Sequence, residues 1–179
     1  MMSAQDLSSF NSIRMAGVIR ESIVDGPGLR FVIFAQGCPH GCPGCHNPAT
    51  HDFNSGKDCA LEKILAAIDQ NPLLDGVTFS GGEPMCQPEA FCNLAVEIKK
   101  RKLHRIIYTG YTYEELLTLG ARQPAVLQLL TLADILIDGR FRQEERDLSL
   151  LFRGSRNQRV IDLNLTRENG KLTLAEKYL

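Results

Sequence analysis

Three cysteines share one short segment, CPHGCPGCHN, in which Cys38, Cys42 and Cys45 are four and three positions apart. Thiolates at this spacing can pair as a disulfide, bind zinc or hold an iron–sulfur cluster. A disulfide would leave one of the three thiols unpaired. A zinc site would need His40 or His46 as its fourth ligand, although structural zinc usually draws its ligands from two separated pairs. A cluster fits the spacing better, because three thiolates hold three of its irons and leave the fourth iron open.

The composition describes the setting of this loop. The chain has 179 residues, of which 44% are hydrophobic and 23% charged, as expected for one globular domain. Its net charge of −1 argues against nucleic acid or an anionic membrane as the main partner. No apolar run approaches the roughly 20 residues of a membrane span, and the N-terminus lacks the apolar region of a signal peptide. We therefore expect a cytoplasmic protein, in which clustered cysteines bind metal.

Predicted strands alternate with predicted helices along the chain. Residues 29–35, with an unbroken apolar run at residues 31–34, predict a buried strand that leads directly into the cysteine loop. Further strands are predicted at residues 17–20, 77–79, 105–108, 135–137 and 159–163. Helices are predicted after Asp58 as an N-cap, from Pro88, from a capping box of Thr112 and Glu115, and over residues 125–132.

This alternation predicts an α/β fold in which right-handed crossovers connect parallel strands. A complete eight-fold barrel needs about 250 residues, so we expect a partial (β/α) barrel or open curved sheet of about five to six mainly parallel strands. One domain is predicted at residues 13–165, between a flexible leader at 1–12 and a C-terminal tail at 166–179. Ligands bind at the C-terminal ends of strands in such folds. The cysteine loop, SGGEP, TGYT and DGRF each follow a predicted strand, and we expect them to form one site.

The pattern Cys-x3-Cys-x2-Cys after a first strand resembles the signature of the radical S-adenosylmethionine (SAM) superfamily. SGGEP, at the end of the next predicted strand, resembles the Gly-Gly-Glu motif of that superfamily, which binds the amino group of SAM. The resemblance implies a partial barrel of the radical SAM type, with a [4Fe–4S] cluster on Cys38, Cys42 and Cys45 and SAM as second cofactor. Gly81 and Gly82 would let backbone carbonyls approach the ammonium closely.

The resemblance also implies a set of cofactor contacts. They are Gly44, Cys45, His46, Ser80, Gly81, Gly82, Glu83 and Thr109. Many members of the superfamily carry an aromatic residue before the last cysteine, where this chain has Gly44. His46 is therefore a candidate for the adenine contact, with a solvent-facing histidine as the alternative. Glu83 would add an acceptor beside the two glycines.

Further segments narrow the resemblance to the activating enzymes of anaerobic, class III ribonucleotide reductase. They are DGPGLR (25–30), YTGYT (108–112), DILIDGRF (134–141) and FRGSRNQRVID (152–162), and the resemblance covers about residues 15–163. It implies an oxidoreductase that cleaves SAM reductively, generates a 5′-deoxyadenosyl radical and installs a glycyl radical on the anaerobic reductase. A flavodoxin or ferredoxin-type protein would donate the electron.

Two other functions share part of this pattern. The activase of another glycyl-radical enzyme, of the pyruvate formate-lyase type, would also carry DGPG and the cysteine loop. A radical SAM enzyme for a small molecule would carry further substrate motifs. Near the C-terminus Arg153, Arg156 and Arg159 recur every three residues, either as contacts to SAM or the reductase or as a solvated basic stretch. Cys86 and Cys92 are interpreted as small buried apolar residues.

Overall fold

The computed structural model describes residues 10–178 and contains one mixed sheet with helices packed on it. Its strands are β1 (Ser12–Ser22), β2 (Arg30–Ala35), β3 (Lys57–Ala60), β4 (Gly76–Ser80), β5 (His104–Tyr108), β6 (Ile135–Asp138) and β7 (Arg159–Asp162). Its helices are α1 (Leu61–Asp69), α2 (Pro88–Lys100), α3 (Tyr113–Gly120), α4 (Pro124–Leu132) and α5 (Leu163–Asn169). No helix within residues 10–178 is long and apolar enough to cross a membrane.

The seven strands lie in the order β3-β1-β2-β4-β5-β6-β7. Strands β2, β4, β5 and β6 run parallel, as the apolar runs predict, and the α/β class is confirmed. The sheet has seven strands where five to six were predicted, and it is only partly parallel, because β1, β3 and β7 form antiparallel pairs at the two flanks. Strand β7 runs antiparallel to β6 because the connection between them leaves and re-enters the sheet at the same end, without crossing over a face.

Local sequence explains where several helices begin. The backbone N–H of Glu115 donates to Oγ1 of Thr112 at 3.2 Å, and the N–H of Thr112 donates to Oε2 of Glu115 at 2.8 Å, which confirms the capping box. The prediction of Asp58 as a helix cap is wrong. Asp58 lies in β3, where the backbone pairs with β1, and α1 begins only at Leu61.

The two faces of the sheet are covered differently. Apolar side chains of α1 to α4 pack on one face, against residues such as Phe79 and Ile107. On the other face Ile106, Ile137 and Val160 form a smaller cluster with Ala175. These residues alternate along the strands, as the pleat requires. The second face is therefore only partly covered by protein, and its residues Phe34, Ser80 and Tyr108 line a cavity.

Buried Arg30 anchors the start of β2 on this second face. It is 0% exposed, and its Nε donates to Oγ1 of Thr78 at 2.6 Å while Nη2 donates to the carbonyls of Val77 and His104 at 2.7 and 3.0 Å. Burial lowers the pKa of Arg30 to about 10, so the guanidinium remains charged at neutral pH. The arginine of the DGPGLR segment thus joins the strands of the sheet.

The structure places regular elements across both predicted boundaries of the domain. Residues 1–9 of the predicted leader lie outside the described residues, and β1 already begins at Ser12. The predicted boundary between residues 165 and 166 falls inside α5, and the N–H of Ala175 donates to the carbonyl of Val160 at 2.8 Å. Residues after 165 thus pack against β7.

Candidate active site

The cysteine loop leaves the C-terminal end of β2 and is closed by backbone hydrogen bonds. The N–H of Gly37 donates to the carbonyl of Thr50 at 2.8 Å, and the N–H of Cys38 donates to the carbonyl of His51 at 3.1 Å. This closure brings three thiols to one small cavity of about 120 Å³. They are Cys38, Cys42 and Cys45. Burial raises the pKa of the Cys38 thiol.

The neighbouring strand ends contribute the other walls of this small cavity. Gly81 and Gly82 follow β4, and Thr109 follows β5. Parallel strands end at the same edge of a sheet, so these loops meet the cysteine loop there. Gly82 has a φ of 46°, and a Cβ at this position would lie 2.5 Å from the carbonyl oxygen of Ala35. Only glycine therefore allows the SGGEP turn to approach the cysteine loop so closely.

A larger cavity of about 370 Å³ adjoins the small one, since Cys45, Tyr108, Phe141 and Gln158 line both. Among the other predicted contacts, His46 and Ser80 line this larger cavity. The ring of His46 lies 5.1 Å from the ring of Phe141, centroid to centroid. The structure thus places His46 at a cavity wall. Gly44 lies beside Gln143, whose Oε1 would be 2.7 Å from a Cβ at Gly44.

Glu83 has partners that the sequence did not predict. The carboxylate is 0% exposed and accepts hydrogen bonds from the N–H of Met85 at 3.0 Å, the N–H of Gly110 at 2.9 Å and Oγ1 of Thr109 at 2.9 Å. Nε2 of His40 lies 2.8 Å from its Oε2. Both carboxylate oxygens thus already accept hydrogen bonds from the protein. The contact of Glu83 with SAM stays a prediction.

The three arginines near the C-terminus differ in their surroundings. Arg159 donates to buried Asp138 and to Glu114, and the hydrogen bonds from Arg159 lower the pKa of Glu114 to about 2. Arg156 is exposed at the surface. Arg153 lines the larger cavity, and its buried Nε has no hydrogen-bond partner within residues 10–178. Arg153 therefore lies at a cavity, Arg156 at the surface, and Arg159 in ion pairs within the fold.

The remaining cysteines lie outside the loop. Cys92 is fully buried in α2, as predicted, and burial raises its pKa to about 12. Cys86 is half-buried beside the site, and burial together with Glu83 and Cys38 raises its pKa to about 12. The sequence did not predict the contact of His40 with Glu83 or the placement of Phe141 and Gln158 at both cavities. Their only signal was their position within the quoted motifs.

Within residues 10–178, no three His, Cys, Asp or Glu side chains converge closely enough to share a single metal ion. A cluster makes a different demand, because its thiolates bind separate irons and need not meet at one point. The arrangement of three thiols around one cavity fits that demand.

The comparisons with known proteins point to the same chemistry. The family model described as a 4Fe-4S single cluster domain matches residues 24–161, so the chain belongs to the single-cluster iron–sulfur proteins. It is 34% identical over 149 residues to the anaerobic ribonucleoside-triphosphate reductase-activating protein of Salmonella typhi, which covers 77% of this chain and 91% of the relative. The corresponding protein of Vibrio cholerae is 38% identical over 144 residues, covering 76% and 89%.

The chain therefore belongs to the family of anaerobic ribonucleoside-triphosphate reductase-activating proteins, and the resemblance of its motifs to these activating enzymes is confirmed. A pyruvate formate-lyase-activating enzyme of Clostridium pasteurianum is also similar, at 40% identity over 113 residues, covering 58% of this chain and 48% of that enzyme.

Proposed function

We propose that this protein activates an anaerobic ribonucleotide reductase by installing a glycyl radical on it, with a [4Fe–4S] cluster and SAM as cofactors. The observation that carries this proposal is the meeting of three thiols, the SGGEP turn and Thr109 around one small cavity at the edge of the parallel strands. We take the fold to be a partial barrel of the radical SAM type, a proposal that the parallel strands β2, β4, β5 and β6 support. The reaction takes place in the reducing cytoplasm.

Cys38, Cys42 and Cys45 would hold the cluster, and the chemistry of the donor set fits it, since soft thiolates are the ligands of iron–sulfur clusters. When bound, the cluster and SAM supply the one-electron cleavage that yields a 5′-deoxyadenosyl radical, which removes a hydrogen atom from a glycine Cα. The protein positions the cofactors and limits access of water to them.

The larger cavity is the proposed site for the rest of SAM. His46 lines it as the candidate adenine contact, and Ser80 contributes the start of the SGGEP turn. The Nε of Arg153, which has no partner among residues 10–178, is a buried donor that fits an oxygen acceptor, such as the carboxylate or a ribose hydroxyl of SAM. A buried donor without a partner is unfavourable, and a bound acceptor would remove that cost.

A loop of the reductase is the proposed substrate. Apolar side chains stand exposed on the two loops that flank the larger cavity: Ile23 and Val24 before β2, and Leu148 and Leu151 before β7. Val24 itself lines that cavity. A glycine-bearing segment entering here would cover them, and a flavodoxin or ferredoxin-type protein would donate the electron.

The test is anaerobic purification and reconstitution, followed by reduction with dithionite and SAM in the presence and absence of the candidate reductase. Bound iron and sulfide, 5′-deoxyadenosine and a glycyl-radical EPR signal on the reductase are the expected results. Formation of 5′-deoxyadenosine without a glycyl radical on the reductase would contradict the proposed partner.

A second candidate is the activation of a pyruvate formate-lyase, favoured by the 40% identity to the activating enzyme of Clostridium pasteurianum. The same assay with pyruvate formate-lyase in place of the reductase distinguishes the two. A glycyl radical on the lyase alone would favour the second candidate.

A further inference from the structure

We propose that His40 is a positioning residue, which fixes the cysteine loop to the SGGEP turn through Glu83 and so sets where the cluster lies relative to bound SAM. The inference rests on the proposed function, because it concerns the placement of the two cofactors of that reaction. It assigns a role to a histidine that lies between two cluster ligands without being one of them.

The side chain of His40 is held in a defined place. It is 4% exposed although its loop lies at the surface. Nε2 lies 2.8 Å from Oε2 of Glu83, an oxygen that also accepts from the N–H of Gly110, and we assign this nitrogen as the donor. The imidazole also meets the ring of Tyr111 edge-on, at 4.5 Å between centroids. Nε2 is thereby engaged with the SGGEP turn.

Glu83 extends this contact to a third loop. Its oxygens accept from the N–H of Gly110 and from Oγ1 of Thr109, both after β5, and from the N–H of Met85 in its own turn. The carboxylate thus joins the cysteine loop, the SGGEP turn and the TGYT loop. Residues of all three segments line the small cavity.

Two backbone contacts support the same junction. The N–H of Glu83 donates to the carbonyl of Gly37 at 2.8 Å, just before the first cysteine. The N–H of Gly82 donates to Oγ1 of Thr50, which lies after the last cysteine. Both contacts hold the ends of the cysteine loop. His40 differs because it holds the middle of the loop, between Cys38 and Cys42.

The inference assigns different functions to the thiols and to His40. The three thiols retain the cluster, whereas His40 determines how the cluster faces the turn that receives the amino group of SAM. Removing the imidazole should therefore weaken SAM binding more than iron binding. The bond holds the loop in the position that binds SAM, so its loss lowers the population competent to bind and raises the apparent dissociation constant of SAM about tenfold.

The test compares reconstituted native protein with His40→Leu, His40→Gln and the control Glu97→Gln, whose carboxylate lies on the surface of α2. Iron content, the dissociation constant of SAM by equilibrium dialysis and the EPR change on SAM addition are measured. We expect His40→Leu to retain iron, bind SAM about tenfold more weakly and show a reduced EPR response. His40→Gln, whose amide reaches the place of Nε2, should recover most of both. Native SAM affinity and EPR response in His40→Leu would overturn the inference.

A second comparison applies if His40→Leu fails to retain iron. The amide nitrogen of His40→Gln can reach Glu83, whereas the shorter side chain of His40→Asn cannot. Tighter SAM binding by the glutamine variant supports positioning through Glu83, and equal affinities of the two variants overturn it. Failure of the native protein to bind SAM contradicts the proposed function, whereas equal binding by native protein and the leucine variant contradicts only the role of His40.

Discussion

Substitution of Gly110 by alanine should displace the His40 ring without altering any charged group. An alanine Cβ would lie 2.2 Å from Cδ2 and 2.6 Å from Nε2 of His40. Carbon atoms in contact are about 3.5–4.0 Å apart, so the ring must move by at least about 1 Å. Gly110 lacks the positive φ that would itself penalise alanine, and its N–H would still reach Glu83. The perturbation is therefore mainly steric.

The magnitude follows from two contributions. Overpacking a filled site costs about 1–3 kcal/mol, which in a domain of this size lowers the melting temperature by about 2–12 °C. The ring shift also stretches the 2.8 Å contact between His40 and Glu83 beyond hydrogen-bonding distance. We expect SAM to bind about tenfold more weakly as a result.

The assay is anaerobic thermal unfolding of the reconstituted protein, combined with equilibrium dialysis of SAM. Gly17→Ala is the matched control, because nothing lies within 4 Å of a Cβ at Gly17 and its φ is not positive. The control should melt and bind SAM as the native protein does. If Gly110→Ala behaves like Gly17→Ala in both measurements, the packing of His40 against this glycine does not position the loop.

Three further predictions concern other parts of the site. Arg153→Gln should weaken SAM binding about tenfold, whereas Arg156→Gln should leave it unchanged; equal dialysis constants would place the cavity donor outside the cofactor site. Cys45→Ala should lower bound iron from about four atoms per chain to less than about one, and full iron retention would refute its assignment as a ligand. Arg159→Gln should destabilise the metal-free protein by about 1–3 kcal/mol at pH 6, less than a fully buried pair because Arg159 is 31% exposed. The pKa of Glu114 is lowered to about 2, so its stabilisation is present above about pH 4.5 and is lost toward pH 2; unfolding at pH 6 and pH 3 should show the difference between variant and native protein shrinking.

The parallel centre of the fold could be predicted because its signals are local. Strand β2 carries an apolar run that is largely buried on both faces, and the capping box of α3 needs only Thr112 and Glu115. Strand β3 could not be predicted in this way. Its residues are largely exposed and polar, and its structure depends on pairing with β1, about 45 positions earlier in the chain.

The site was predictable in part for the same reason. The spacing of the thiols and the glycine turn can be recognised in the sequence, and parallel strands bring both to one edge of the sheet. The bond between His40 and Glu83 joins residues 43 positions apart, and no local pattern specifies such a pair. The regular spacing of the three arginines could not tell them apart, whereas the structure places Arg153 at a cavity, Arg156 at the surface and Arg159 in ion pairs.

The connection from β6 to β7 begins and ends at two residues that are paired in the sheet. Asp138 and Arg159 are paired neighbours in the sheet, so residues 139–158 leave and return at one place. The entropy of closing a loop rises slowly with its length, by only about 0.6 kcal/mol for each doubling. This segment is therefore limited in length less by closure entropy than by Phe141, Arg153 and Gln158, which line the cavities. It forms one wall of the larger cavity, which makes it the natural place for evolution or grafting to change which polypeptide is admitted.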